Sequence, residues 1–118
     1  MTPETNILGV VSDLWVEKFP ENHTLAYPKG LVKRVSTPLV NEKSRSLPRQ
    51  YNSRIRILWY ADDTRTFDAK METVIDAVLP LTSDSKIRNV YFESRDDGYD
   101  PVTDKHVMSL DFFIKHNA

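Results

Sequence analysis

The sequence contains no cysteine, only three glycines, and no apolar run of the length that spans a bilayer. Each absence closes a class of explanation. Without cysteine there is neither a disulfide framework nor a thiolate metal site. Gly9, Gly30 and Gly98 lie too far apart to form a phosphate-cradling loop. No stretch approaches the roughly 18–20 apolar residues of a membrane-spanning helix. The opening Met1-Thr2-Pro3-Glu4-Thr5 lacks the basic and apolar regions of a secretory signal. A net charge of −1 gives no overall pull toward nucleic acid or anionic membranes.

Catalytic and metal-binding patterns are equally scarce. His23, His106 and His116 are scattered without the i, i+4 spacing of a zinc helix. No serine sits in a nucleophile-elbow motif. The carboxylate pairs Asp62/Asp63 and Asp96/Asp97 are sequence neighbours, whose side chains usually diverge; helix capping accounts for the first pair and a turn for the second. The run Asp96-Asp97-Gly98-Tyr99-Asp100 resembles fragments of calcium loops but lacks their alternating ligands and closing glutamate. No catalytic residue, cofactor or metal is therefore expected.

What remains is a single domain, residues 1–118, with ordinary hydrophobic (40%) and charged (28%) content. Ile7, Leu8, Val11, Leu14, Trp15 and Lys18 follow a helical rhythm, which predicts a three-turn helix capped by Thr5 and ended by Pro20. Gly30 to Val40 offers one or two short strands bounded by Pro28 and Pro38, followed by a polar, basic loop over 41–50. Tyr51 to Ala61 is the clearest strand. Tyr51, Ser53, Ile55, Ile57 and Trp59 form its core face, and Asn52, Arg54, Arg56, Leu58 and Tyr60 its wetter face. Thr64 or Thr66 caps an amphipathic helix carrying Phe67, Met71, Val74, Ile75, Val78 and Leu79, ended by Pro80. Lys86 to Ser94 reads as a strand and Arg95 to Lys105 as a turn-rich link with its sharpest bend at Asp97-Gly98. His106 to Lys115 is the last strand, with Met108, Leu110, Phe112 and Ile114 on one face. The expected fold is α+β: a mainly antiparallel sheet of four to five strands with two helices packed on one face.

Charge is sorted along the chain. Between Lys29 and Arg56 there are eight basic residues and one acid, Glu42. The rest has eight basic and sixteen acidic residues, with Asp96, Asp97, Asp100 and Asp104 densely grouped. A near-neutral protein with one basic and one acidic segment can dock on copies of itself head to tail. On this reading Arg45, Arg49, Arg54 and Arg56 face a neighbour's acidic turn at Asp96, Asp97 and Asp100; the plain alternative for Arg54 and Arg56 is a solvated surface.

The strand Arg54-Ile55-Arg56-Ile57-Leu58-Trp59-Tyr60-Ala61, the helix Lys70-Met71-Glu72-Thr73-Val74-Ile75-Asp76-Ala77-Val78-Leu79, and Asp96-Asp97-Gly98-Tyr99-Asp100 before Val107-Met108-Ser109-Leu110-Asp111-Phe112-Phe113 carry a resemblance. Together with chain size and element order, they resemble the tail terminator (tail completion, head–tail joining, minor capsid) proteins of long-tailed phages. The resemblance implies a structural virion protein that forms a hexameric ring at the end of the tail tube. Such a ring stops tube growth, meets the head connector or stopper protein and passes DNA through its lumen without reading it. It also implies a subunit that is monomeric before assembly in the host cytoplasm and that resides at the head–tail interface of the virion. No catalytic residue comes with it.

Three other readings compete. One is a head-completion or stopper protein of the same connector. Another is an unrelated dimeric α+β binding module that uses a sheet edge. The third is a small enzyme built from scattered groups such as His106 with Asp111 or Tyr99. Sequence-specific nucleic-acid binding by the basic segment with Tyr51, Trp59 and Tyr60 is weakened by Trp59 falling on the core face.

Overall fold

The computed structural model describes residues 2–18, 27–37, 50–83 and 86–117. Helix α1 (Pro3–Leu8) leads to strand β1 (Leu14–Val16), then β2 (Lys29–Ser36) and β3 (Gln50–Ala61). Helix α2 (Phe67–Val78) runs on into a 3-10 turn, Leu79–Ser83. The long strands β4 (Ile87–Asp100) and β5 (Lys105–Asn117) close the chain as a hairpin. The five strands form one sheet in the order β1-β2-β3-β5-β4. Among the described strands, only the β1–β2 pair is parallel.

One face of the sheet holds the core. Ile55, Ile57 and Trp59 stand opposite Phe112, Leu110 and Met108 across β3 and β5, and all six are buried. Ile7 from α1 and Phe67, Val74 and Val78 from α2 pack into the same cluster. Both helices therefore cover this inner face, as the alternation on β3 and β5 requires.

The first prediction to fail is the N-terminal helix. Thr2, not Thr5, is the cap, accepting a hydrogen bond from Thr5 N at 3.3 Å, and Pro3 occupies the first turn, where its missing N–H is no loss. The helix stops at Gly9, and Leu14–Val16 pairs with Gly30–Val32 instead of continuing it. Asp13 (φ 62°) and Glu17 (φ 68°) take the left-handed region on either side of this short strand. The helical rhythm still marked true core positions, since Ile7, Val11 and Leu14 are all buried.

The second failure is the bend at Asp97-Gly98. β4 runs through it to Asp100, because β5 supplies partners throughout: Asp97 faces Met108 and Gly98 faces Val107. The reversal comes at residues 101–104, where Asp104 takes φ 56°. By contrast, α2 ends at Val78 just before Pro80, as expected, and Pro80 sits in the 3-10 turn that follows. Asp62 and Asp63 do not cap α2: Asp62 pairs with Lys105 at 2.7 Å and Asp63 with Arg65 at 2.8 Å.

Candidate interaction surface

Among the described residues, no helix lies on the second face of the sheet. Register places Lys29, Leu31 and Lys33 of β2 there, with Arg54, Arg56, Leu58 and Tyr60 of β3. β5 adds Val107, Ser109, Asp111, Phe113 and Lys115, and β4 adds Tyr91, Ser94, Asp96 and Asp100. Charge is graded across it, basic toward β2 and β3 and acidic toward β4. Tyr91 is 48% exposed, and Leu58, Tyr60, Val107 and Phe113 are half-buried.

The centre of this face is an ion-pair network. Asp111, only 4% exposed, takes a hydrogen bond from Arg54 Nη2 at 2.8 Å. It takes two more from Arg56, Nε at 2.8 Å and Nη2 at 3.1 Å. A one-residue bulge between Phe92 and Ser94 brings Glu93 to the same side, 3.2 Å from Arg54 Nε, a charge contact off the hydrogen-bond direction. Burial pushes the Asp111 carboxyl up, but the hydrogen bonds from Arg56 and Arg54 outweigh it and hold the group below the usual carboxylate range. The hydrogen bond to Asp111 in turn raises Arg56, against the opposing effect of burial. This arrangement also quiets the like-charge pair Lys33 and Arg56, which stand directly opposite across β2 and β3.

The structure therefore corrects the premise that the basic segment waits for an external acid. Arg34 is paired with Glu4, and Arg54 and Arg56 with Asp111, inside one chain. Asp111 is named from the sequence only beside His106, not among the interface residues. Its signal was there: an acid on the wet side of an apolar strand, opposite a strand with two arginines. The pairing itself depended on a register that sequence does not give. Arg45 and Arg49 lie outside the described residues. Asp97, on the inner side of β4, joins Asp68 in holding Arg95, whose guanidinium is pushed up by hydrogen bonds to Asp97 and Asp68. Asp96 lies on the open face, where its charge acts on Arg56.

Asp100 belongs to the hairpin tip. It accepts hydrogen bonds from Val102 N and Thr103 Oγ1, both at 3.0 Å, while Tyr99 OH bonds to Asp104. The turn so fixed presents Val102, 91% exposed. At the opposite end of the sheet, a cleft of about 260 Å³ opens between Thr2, Pro3, Arg34, Thr37, Tyr51 and His116. Beneath it, Ser53 Oγ lies 2.6 Å from His116 Nε2, and His116 Nδ1 donates to the Asn117 carbonyl at 3.0 Å. Ser53 is fully buried, so this pair is a satisfied polar contact of the core. Of the groups named for a scattered enzyme site, His106 stacks edge-on against Tyr99 on the inner side, whereas Asp111 faces outward.

The sequence matches no known family and no curated protein. The fold does have a structural counterpart. A chain in a solved structure, the virion of a native gene transfer agent particle, superposes with a TM-score of 0.61 at 14% identity, covering 95% of this chain and 84% of that one.

Proposed function

We propose that this protein is a structural subunit of a phage-like virion, and more narrowly a tail terminator that assembles as a ring at the tail end. What supports the reading is a likeness of fold over 95% of the chain to a protein of a gene transfer agent particle. The sheet face adds to it: open, half-apolar and graded in charge, it has the character of a surface used between subunits. In this role the subunit caps the tail tube, meets the head connector and surrounds a passage for DNA. The interface hypothesis changes in one respect. Arg54 and Arg56 are already held by Asp111, so a neighbour's acids would join an existing network instead of neutralising free arginines.

The in-chain pairs also decide how to test it. Reversing Arg54 and Arg56 would crowd carboxylates around Asp111 and damage the fold along with any interface. Asp96→Lys, at an exposed position of the open face, leaves those pairs intact. Native mass spectrometry and electron microscopy of the full chain, alone and mixed with the tail tubes of its particle, provide the measurement. A species of six times the 13.7 kDa protomer mass, or a cap on tube ends, is expected, and Asp96→Lys should weaken it. If tubes stay uncapped and keep growing in its presence, the terminator assignment fails. Binding to head connectors without any effect on tubes would favour the stopper role.

A further inference from the structure

We infer that, away from any tail, two copies of this chain pair through their open sheet faces about a two-fold axis that runs along the strands. The inference goes beyond the terminator reading, since it concerns the free protein, and it rests on the charge of the face and on its area.

Charge on this face is sorted by strand. β2 and β3 contribute Lys29, Lys33, Arg54 and Arg56 and no acid. On the far side, β4 contributes Glu93, Asp96 and Asp100. The centre is already neutralised, because Asp111 holds both arginines and Glu93 sits beside Arg54. What is left over lies to either side of it. Among the described residues, Lys33 on β2 and Asp96 on β4 have no ion pair. They stand in adjacent outward rows of the sheet: Lys33 aligns with Arg56 and Asp111, and Asp96 with Ser109 and Leu58.

A two-fold axis along the strands, passing between β3 and β5, turns this sorting into a match. It lays β2 of one copy over β4 of the other, and β3 over β5. Lys33 then meets the acidic side at the second copy's Asp96, and the symmetry makes the contact twice. The two rows are about 7 Å apart, a step that the long lysine side chain covers. An axis across the strands would instead lay each strand over its own counterpart, setting lysine against lysine and aspartate against aspartate.

The rest of the face suits a buried contact. Leu58, Tyr60, Val107 and Phe113 are half-buried, and Tyr91 is 48% exposed. Tyr60 of one copy lies over Val107 of the other, since the two are register partners across β3 and β5. The 12 residues of β3 set the length of the face. With four strands about 4.8 Å apart, the footprint is roughly 750 Å² on each copy. A stable pair uses about 800 Å² per partner.

Charge swaps on the full chain, without tail tubes, test the pairing. Native mass spectrometry and sedimentation should find a species of twice the 13.7 kDa protomer mass. Lys33→Glu and Asp96→Lys, both outside the in-chain ion pairs, should each weaken it by ~10-fold or more, because every lost contact counts twice. Circular dichroism checks that each variant is folded. Mixing the two variants should restore the pair as a heterodimer, since each altered charge then meets its complement. The double variant should restore the homodimer. A chain that stays monomeric at high micromolar concentration would overturn the inference, as would a dimer indifferent to both swaps or one that mixing fails to restore. None of these results touches the terminator assignment, which is read on tail tubes; uncapped tubes beside an intact dimer would remove that assignment and leave this pairing standing.

Discussion

Replacing Asp111 by alanine is the sharpest test of what holds the open face together. The carboxylate is 4% exposed and takes three hydrogen bonds from two guanidinium groups. Breaking a fully buried pair costs about 3–5 kcal/mol because an uncompensated charge is stranded. Here the arginine side chains are 33% and 39% exposed, so both can turn toward water, and Glu93 remains beside Arg54. Exposed pairs contribute only about 0–1 kcal/mol. The cost should fall between these limits, near ~2 kcal/mol, or about 8 °C in Tm for a domain of this size. Asp111→Asn keeps the shape and one acceptor and should lose about half as much. The carboxyl is held below its ordinary value in the folded protein, so its contribution is full above the unfolded value of about 3.9 and disappears as pH falls through the folded one. The Tm gap between the native protein and Asp111→Asn should therefore be widest near neutrality and close on acidification below about pH 4. Thermal unfolding followed by circular dichroism across pH measures both. Equal Tm values near neutral pH, or a gap that persists into strong acid, would refute the network as a source of stability.

Three further outcomes follow from the packing. Gly30→Ala would place a Cβ 2.5 Å from Leu14 Cδ2 and 2.7 Å from the Leu58 carbonyl oxygen; since backbone cannot yield, we expect a loss of about 1–3 kcal/mol in denaturant melts and faster amide exchange in β1. Phe67→Ala, at a fully buried anchor of α2, should cost about 3–5 kcal/mol by the same assay. Asp100→Ala removes both turn-holding hydrogen bonds of a half-buried side chain at the hairpin tip, so amide exchange should rise at residues 101–105 while stability falls by no more than about 1–3 kcal/mol.

Sequence patterning revealed the parts of the fold in which one periodicity had no rival. On β3 and β5 the buried and wet sides alternate as expected, except at the ion-paired Asp111, and α2 buries Phe67, Val74 and Val78. The start of the chain was misread because a helical spacing and a helix–turn–strand can bury the same residues, Ile7, Val11 and Leu14. Pairing with β2 decided between them, and that is a tertiary effect. Asp97-Gly98 carried a genuine turn signal, overridden by the continuous ladder to β5. For the surface, composition identified the charged residues but not their partners. Arg56 and Asp111 are 55 residues apart, and only the register of β3 on β5 makes them neighbours. The cleft was invisible for the same reason, its walls coming from α1, β2, β3 and β5.

The outermost described strand, β4, has a bearing on how this protein avoids pairing with itself along its rim. Its fourteen residues form an edge of the sheet, the kind of rim on which chains stack into fibrils. Register slips at Arg88 and Glu93 break that rim into short lengths, and Arg88, Glu93, Arg95, Asp96 and Asp97 stud it with charge. A chain built this way resists polymerising edge to edge, and its open sheet face stays clear of that kind of pairing.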